Sequence, residues 1–263
     1  MKLFNRDHVS IIPFTTCNFR CTYCIADKHP ESFKQWNPHF LKLMLAHPYK
    51  TAIMVSGGEP LLYDWEDIMK IGDHVWYFLT NLSMTPEWIR CAKLVIAAYH
   101  KEGIGLAKFT ANAKILQDWG IPVFVKVIYT EPLSRDVVEH FWRQNIASSL
   151  SPLVGRRYDT VPKQCITQMY KRRFLREYKG MTSCNAGIYS WELRGNDLKL
   201  HRCSHWYGVF DKIDPCGDAD FFGKRPCWIK HCECEWHQFS ELNGSNDNEK
   251  WQTFVETGKW ELT

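Results

Sequence analysis

The sequence predicts an α/β protein: a partial (β/α)6-type parallel barrel followed by a small cysteine-rich extension that contains a β-hairpin. Three observations carry this expectation. Short, almost wholly apolar runs alternate with longer amphipathic segments from residue 9 to residue 155, the pattern of right-handed βαβ units around a parallel sheet. Five or six such units are too few to close an eight-stranded barrel. Near residue 156 this alternation breaks, and from residue 204 onward glycine, proline, cysteine and aromatic residues dominate without clear periodicity.

The strands come first. "VSIIPF" (9–14), "TAIMVS" (51–56), "VWYFLT" (75–80), "KLVIAA" (93–98) and "IPVFVKVIY" (121–129) are apolar throughout or nearly so, as strands covered on both faces must be. "SSLSPLVG" (148–155) is a weaker sixth, because Pro152 interrupts it. Helices are expected near 33–46, 65–71, 85–91, 106–119 and 134–145; Gly120 and Pro122 make a good stop for the fourth. "PKQCITQMYKRRFLREYKG" (162–180) reads as a linking helix. "AGIYSWELRGNDLKLHRC" (186–203) reads as a hairpin turning at "RGND". The remainder has too little regular apolar surface for a core of its own and calls for a metal staple. The expected divisions are therefore 1–160, 161–183 and 184–263.

Composition excludes some classes. With 45% hydrophobic and 24% charged residues the chain is an ordinary globular one. No run approaches the roughly 18 apolar residues that cross a bilayer, and the first residues, "MKLFNRDHVSIIPF", are no signal peptide. A cytoplasmic location is expected, with no membrane partner. Eleven cysteines in a reducing compartment point to metal before disulfides. They form two poles: 17, 21 and 24, then six between 184 and 234, with 91 and 165 alone. The two isolated thiols are expected to pack as small apolar side chains.

The first pole, "CNFRCTYC" (17–24), admits three readings. A disulfide conflicts with the compartment. Structural zinc needs a fourth ligand, for which His29 is available. A cubane iron–sulfur cluster needs one protein ligand per iron, so three cysteines on one loop leave one iron open to a substrate or cofactor.

At these residues the chain resembles the radical S-adenosylmethionine (radical SAM) family, whose motif is Cys-x3-Cys-x2-Cys after the first strand with an aromatic residue before the last cysteine. Cys17, Cys21, Tyr23 and Cys24 match it. "SGGEP", Ser56, Gly57, Gly58, Glu59 and Pro60, follows the second strand and resembles the family's Gly-Gly-Glu-Pro motif. "IAAYH" (96–100) and "VFVKVIYTEP" (123–132) resemble the family's fourth and fifth strand ends. The resemblance spans roughly residues 9 to 132. It implies a [4Fe-4S] cluster on Cys17, Cys21 and Cys24, and S-adenosylmethionine chelating the open iron. It also implies Glu59 near the methionine amino group and Thr80 and Asn81 near the ribose. The implied activity is reductive cleavage of S-adenosylmethionine to a 5′-deoxyadenosyl radical that takes hydrogen from a substrate, an oxidoreductase-type chemistry fed by a reductant such as flavodoxin or ferredoxin.

The second pole, Cys184, Cys203, Cys216, Cys227, Cys232 and Cys234, resembles the SPASM or twitch extension that follows many radical SAM domains. That resemblance implies one auxiliary [4Fe-4S] cluster on Cys184 and Cys203 plus two of Cys227, Cys232 and Cys234, with Cys216 in reserve. The pattern departs from the full seven-cysteine SPASM set, and a structural zinc knuckle meets the same tetrahedral demand. His201, His205, His231 and His237 are further donors for either.

Residues 156–179 carry eight basic side chains against Asp159 and Glu177. Such a segment is by default a solvated face; the alternative reading is a footprint for a phosphate-bearing substrate such as a nucleotide, a sugar phosphate or nucleic acid. The substrate classes left open are a small phosphorylated metabolite, a nucleotide or nucleic acid, and a peptide. Because the cluster strand begins by about residue 9, a peptide substrate is expected to need a separate recognition partner or none. His100 and Lys126 lie near strand ends without an assigned role. The rival of another class is a non-catalytic zinc protein whose basic segment binds nucleic acid, and "SGGEP" separates the two because a zinc module has no use for it.

Overall fold

The computed structural model describes residues 8–14, 16–21, 24, 52–128, 134–151, 190–194 and 199–201. The six expected strands form as β1 (His8–Ile12), β2 (Ala52–Val55), β3 (Val75–Thr80), β4 (Leu94–Tyr99), β5 (Val123–Ile128) and β6 (Ala147–Ser151). They pair in sequence order, each parallel to the next. β6 stops at the residue before Pro152, where the ladder would lose a donor.

The hairpin also forms. β7 (Ser190–Arg194) and β8 (Lys199–His201) are antiparallel, with Arg194 opposite Lys199. Its position was not legible in sequence: β7 lies parallel to β1, pairing His8 with Ser190 through Ile12 with Arg194. The result is one eight-stranded sheet in the order β6-β5-β4-β3-β2-β1-β7-β8. It is open, as the count of βαβ units requires.

Alternation along the strands builds two apolar faces. Ile53, Val55, Trp76, Phe78, Val95, Ala97, Val123, Val125 and Val127 share one core with Trp65, Phe109, Leu116 and Phe141 from the connecting segments. Ala52, Met54, Val75, Tyr77, Leu94, Ile96 and Phe124 form the other. Each fully buried large side chain contributes about 1.5–3 kcal/mol.

The connections are more compact than expected. The 65–71 helix is a single turn, α1 (Glu66–Met69), after a 3-10 turn at Pro60–Leu62. The 85–91 segment is a 3-10 helix, Glu87–Cys91, with Ile89 N–H donating to Pro86 and Ala92 N–H to Ile89. A connection this short cannot hold a full α-helix, and the tighter winding lets Trp88 reach Phe78 (5.3 Å between ring centroids). Cys91 ends that helix exposed, not packed as expected.

α2 (Leu106–Asp118) and α3 (Ser134–Arg143) match their expected positions. Both close with the paired hydrogen bonds of a Schellman motif, Ile121 to Leu116 with Gly120 to Gln117, and Ile146 to Phe141 with Asn145 to Trp142. The expected helices 33–46 and 162–180 lie outside the described residues. Among those described, no helix is long and apolar enough to cross a membrane.

Candidate active site

The carboxyl ends of β1, β2, β3 and β4 converge on the first cysteine loop. Beyond β1 and β2 the chain goes on pairing after the regular ladder ends. Ser56 N–H donates to Ile11 (2.9 Å), Gly58 N–H to Phe14 (3.0 Å) and Glu59 N–H to Thr16 (2.8 Å). The Gly-Gly-Glu-Pro turn is thereby laid along the segment that leads into Cys17. The close approach demands glycine at 57: its φ is +119°, and a Cβ there would sit 2.5 Å from the Phe14 carbonyl oxygen.

Glu59 is completely buried. Its Oε1 accepts from Leu61 N–H (2.9 Å) and from the Thr80 hydroxyl, and its Oε2 accepts from Asn81 N–H (2.7 Å). The first of these bonds caps the 3-10 turn that Pro60 opens. Trp65 locks the turn from beneath through its indole N–H to the Pro60 carbonyl (3.0 Å). Burial pushes the Glu59 carboxyl up from 4.5 to about 7, against the lowering pull of Thr80, Asn81 and Leu61.

This has a consequence for stability. Between about pH 4.5 and 7 the folded chain keeps a proton that the unfolded chain has lost, so stability falls as pH rises through that window. The full change is about 3 kcal/mol. Urea midpoints of the wild type are expected to drop from pH 5 to pH 8. In Glu59→Gln they start lower, because Asn81 N–H loses its acceptor, and vary less. Parallel profiles for the two proteins would show that Glu59 does not titrate in this range.

The cysteine loop is tied to β3 and β4 by side chains of which sequence reasoning singled out Asn81 and His100 but not Asn18, Phe19 or Ser83. Asn18 Nδ2 donates to Ser83 Oγ (2.8 Å), and Asn81 Nδ2 donates to Asn18 Oδ1 (2.8 Å). The Phe19 ring stands edge-on to His100 (6.3 Å between ring centroids) and fills the space over Gly103, where a Cβ would fall 2.1 Å from the ring. Gly103→Ala therefore displaces either the β4 turn or the cysteine loop, at a cost of about 1–3 kcal/mol. Phe19→Ala in the same chain relieves the clash, so the double variant is expected to be more stable than the sum of the two single losses, measured as a double-mutant cycle. Strict additivity would remove the contact.

Cys17, Cys21 and Cys24 all lie on this loop, and none is in a disulfide. Among the described residues no group of three or more His, Cys, Asp and Glu side chains is gathered on a single point. The donor set fits an iron–sulfur cluster all the same. Thiolates suit it, and the Cys17 sulfur accepts N–H from Phe19 (3.3 Å) and from the Asn81 side chain (3.7 Å). Thr80 and Asn81 are both buried, and Asn81 links Glu59, through its N–H, to the loop, through its side chain. Lys126 is buried in β5 opposite Ala98 and Ser149. Tyr23, Cys184, Cys203, Cys227, Cys232, Cys234 and the basic segment 156–179 lie outside the described residues.

The open sheet, with β1 to β6 all parallel, has likenesses among solved structures. Two solved structures carry the likeness. Native anSMEcpe, an anaerobic sulfatase-maturating enzyme with bound AdoMet and Cp18Cys peptide, aligns with a TM-score of 0.55. It is 12% identical over 76% of this chain and 74% of its own. Streptococcus suis SuiB bound to S-adenosylmethionine aligns with a TM-score of 0.50, 13% identical over 78% of this chain and 60% of its own. A histidine-tagged anSMEcpe with bound AdoMet aligns at 0.48 and 16% identity over 57% of this chain; the chain spans about half of that structure's length, 51%. No protein-family model matches the sequence, and no curated protein matches it.

Proposed function

We propose that the chain is a radical SAM enzyme, with Cys17, Cys21 and Cys24 holding a [4Fe-4S] cluster and the Gly-Gly-Glu-Pro turn binding S-adenosylmethionine beside it. The observation that carries this reading is the joining of the two motifs: Glu59 N–H donates to Thr16, the residue before the first cysteine (2.8 Å). A turn that only capped a helix would have no need to run along a thiol loop. When bound, the cluster and its ligand supply one-electron cleavage of a carbon–sulfur bond and a 5′-deoxyadenosyl radical.

The chain's own residues supply the rest. Gly57 and Gly58 bring backbone, not side chains, to the site. Glu59 offers a buried carboxylate whose charge is disfavoured without a cationic partner, as the amino group of S-adenosylmethionine would be. Thr80 and Asn81 hold that carboxylate in place and close the site toward β3. An auxiliary cluster on Cys184, Cys203 and two of Cys227, Cys232 and Cys234 belongs to the same reading. A peptide is the first substrate class to test, because one structure of this fold holds AdoMet together with a peptide.

The decisive experiment is anaerobic. Protein reconstituted with iron and sulfide and given a strong reductant should convert S-adenosylmethionine to 5′-deoxyadenosine. It should hold about four irons for one cubane, or about eight for two. Colourless protein with bound zinc and no 5′-deoxyadenosine would sink the reading.

A further inference from the structure

The turn that follows β3 is strained, and what it holds is an amide. Leu82 has φ +50°, a conformation that costs a side-chain-bearing residue roughly 1–2 kcal/mol. The surroundings over-determine it. Leu82 is fully buried, its N–H donates to the Thr80 hydroxyl (2.9 Å), and its carbonyl accepts from Asn112 Nδ2 (2.9 Å). Asn112 is itself a buried polar residue on α2, a position where an apolar side chain would pack without a hydrogen-bonding demand.

The turn fixes which way the Asn81 amide faces. Ser83 N–H donates to Asn81 Oδ1 (3.0 Å), and a backbone N–H can only donate. The Asn81 oxygen therefore faces Ser83 and its NH2 faces the cysteine loop. There it meets Asn18 Oδ1 (2.8 Å) and Cys17 Sγ (3.7 Å). With its oxygen taken, Asn18 turns its own NH2 to Ser83 Oγ (2.8 Å), which closes a ring of three residues through the Ser83 main-chain N–H. Each orientation follows from a single unambiguous donor.

We infer that Asn81, oriented by Asn18 and Ser83, is a positioning residue that directs an N–H at the Cys17 sulfur and raises the reduction potential of the cluster this cysteine holds; the inference rests on the radical SAM reading. Reduction adds negative charge to the cluster and its sulfurs, and hydrogen bonds to those sulfurs favour the more negative state. Groups one step removed from a metal act in this way through its ligands. The strained turn is thus explained by what it aims, and Asn112 supports the aim from α2.

The test is an electron-paramagnetic-resonance redox titration of the reconstituted protein without S-adenosylmethionine, the relevant signal being the one absent from Cys21→Ala. Asn81→Leu removes the donor at similar size and is expected to lower the potential. At a fixed applied potential the ratio of reduced to oxidised cluster should fall about tenfold, 59 mV for a one-electron couple. Asn18→Ala keeps Asn81 but removes the acceptor that orients it, and should shift the ratio several-fold in the same direction. It preserves the comparison if Asn81→Leu takes up no cluster. Unchanged or raised potentials in a loaded variant would overturn the inference while leaving the enzyme reading intact. So would loss of the cluster from both variants beside a loaded wild type, since a tuning contact is not a ligand. A wild type that takes up no cluster overturns the enzyme reading itself, and this inference with it.

Discussion

Cys21→Ala is expected to abolish 5′-deoxyadenosine formation and to remove about four irons per chain, one cubane. Cys21 is the middle thiol of the loop, with one cysteine four residues before it and another three residues after. Its carbonyl also accepts the Cys24 N–H (3.2 Å), a backbone bond between the second and third cysteines of the loop. Alanine leaves that backbone bond intact and deletes only the sulfur. The variant should therefore unfold in urea much as the wild type does without metal, while its iron content and activity fall together. Activity retained under anaerobic assay would place the cluster on other residues.

Gly57→Ala is expected to be among the most destabilising single-methyl additions in the described part of the chain. The added Cβ would lie 2.5 Å from the Phe14 carbonyl oxygen and 3.0 Å from Ile12 Cγ2, on a backbone at φ +119°. The nearer atom is main chain, in the segment joining β1 to the cysteine loop, so no side-chain rotation relieves the contact. Strain in φ and the overlap together cost about 2–5 kcal/mol. The urea midpoint should drop with little change in slope. Cluster uptake should suffer as well, since the turn is hydrogen-bonded to the segment that leads into the loop. Gly105→Ala is the control: a Cβ there meets nothing within 4 Å, and about 1 kcal/mol or less is expected from a poorer N-cap. Equal losses in the two variants would dismiss the packing of the turn against the loop as a constraint.

Much of the fold was readable along the chain because its strands are covered on both faces. "VWYFLT" and "VFVKVI" are apolar at nearly every position, and only a parallel sheet with covered faces asks for that. The hairpin was equally visible, since alternation and a turn-prone tetrapeptide are local signals. Its place beside β1 was not visible, because a strand carries no mark of which distant neighbour it will pair with. The short connections were misjudged in length: an apolar pattern over five or six residues suits a 3-10 turn as well as an α-helix, and the space between adjacent strands makes the choice.

For the site the division falls differently. Thiol spacing and the Gly-Gly-Glu-Pro turn are chemistry written into neighbouring residues, and they named Cys17, Cys21, Cys24 and Glu59 without coordinates. Folding alone decided that Glu59 would be buried under Thr80, Asn81 and Leu61. The same is true of Phe19 over Gly103, and of Asn18, Asn81 and Ser83 closing a ring on the Cys17 sulfur. Apart from the local bonds Glu59–Leu61 and Asn81–Ser83, those contacts join residues more than twenty, and in some cases more than sixty, positions apart in the chain. Local composition records which groups are available; only the parallel register of β1 to β4, by bringing four strand ends to one rim, decides which of them meet.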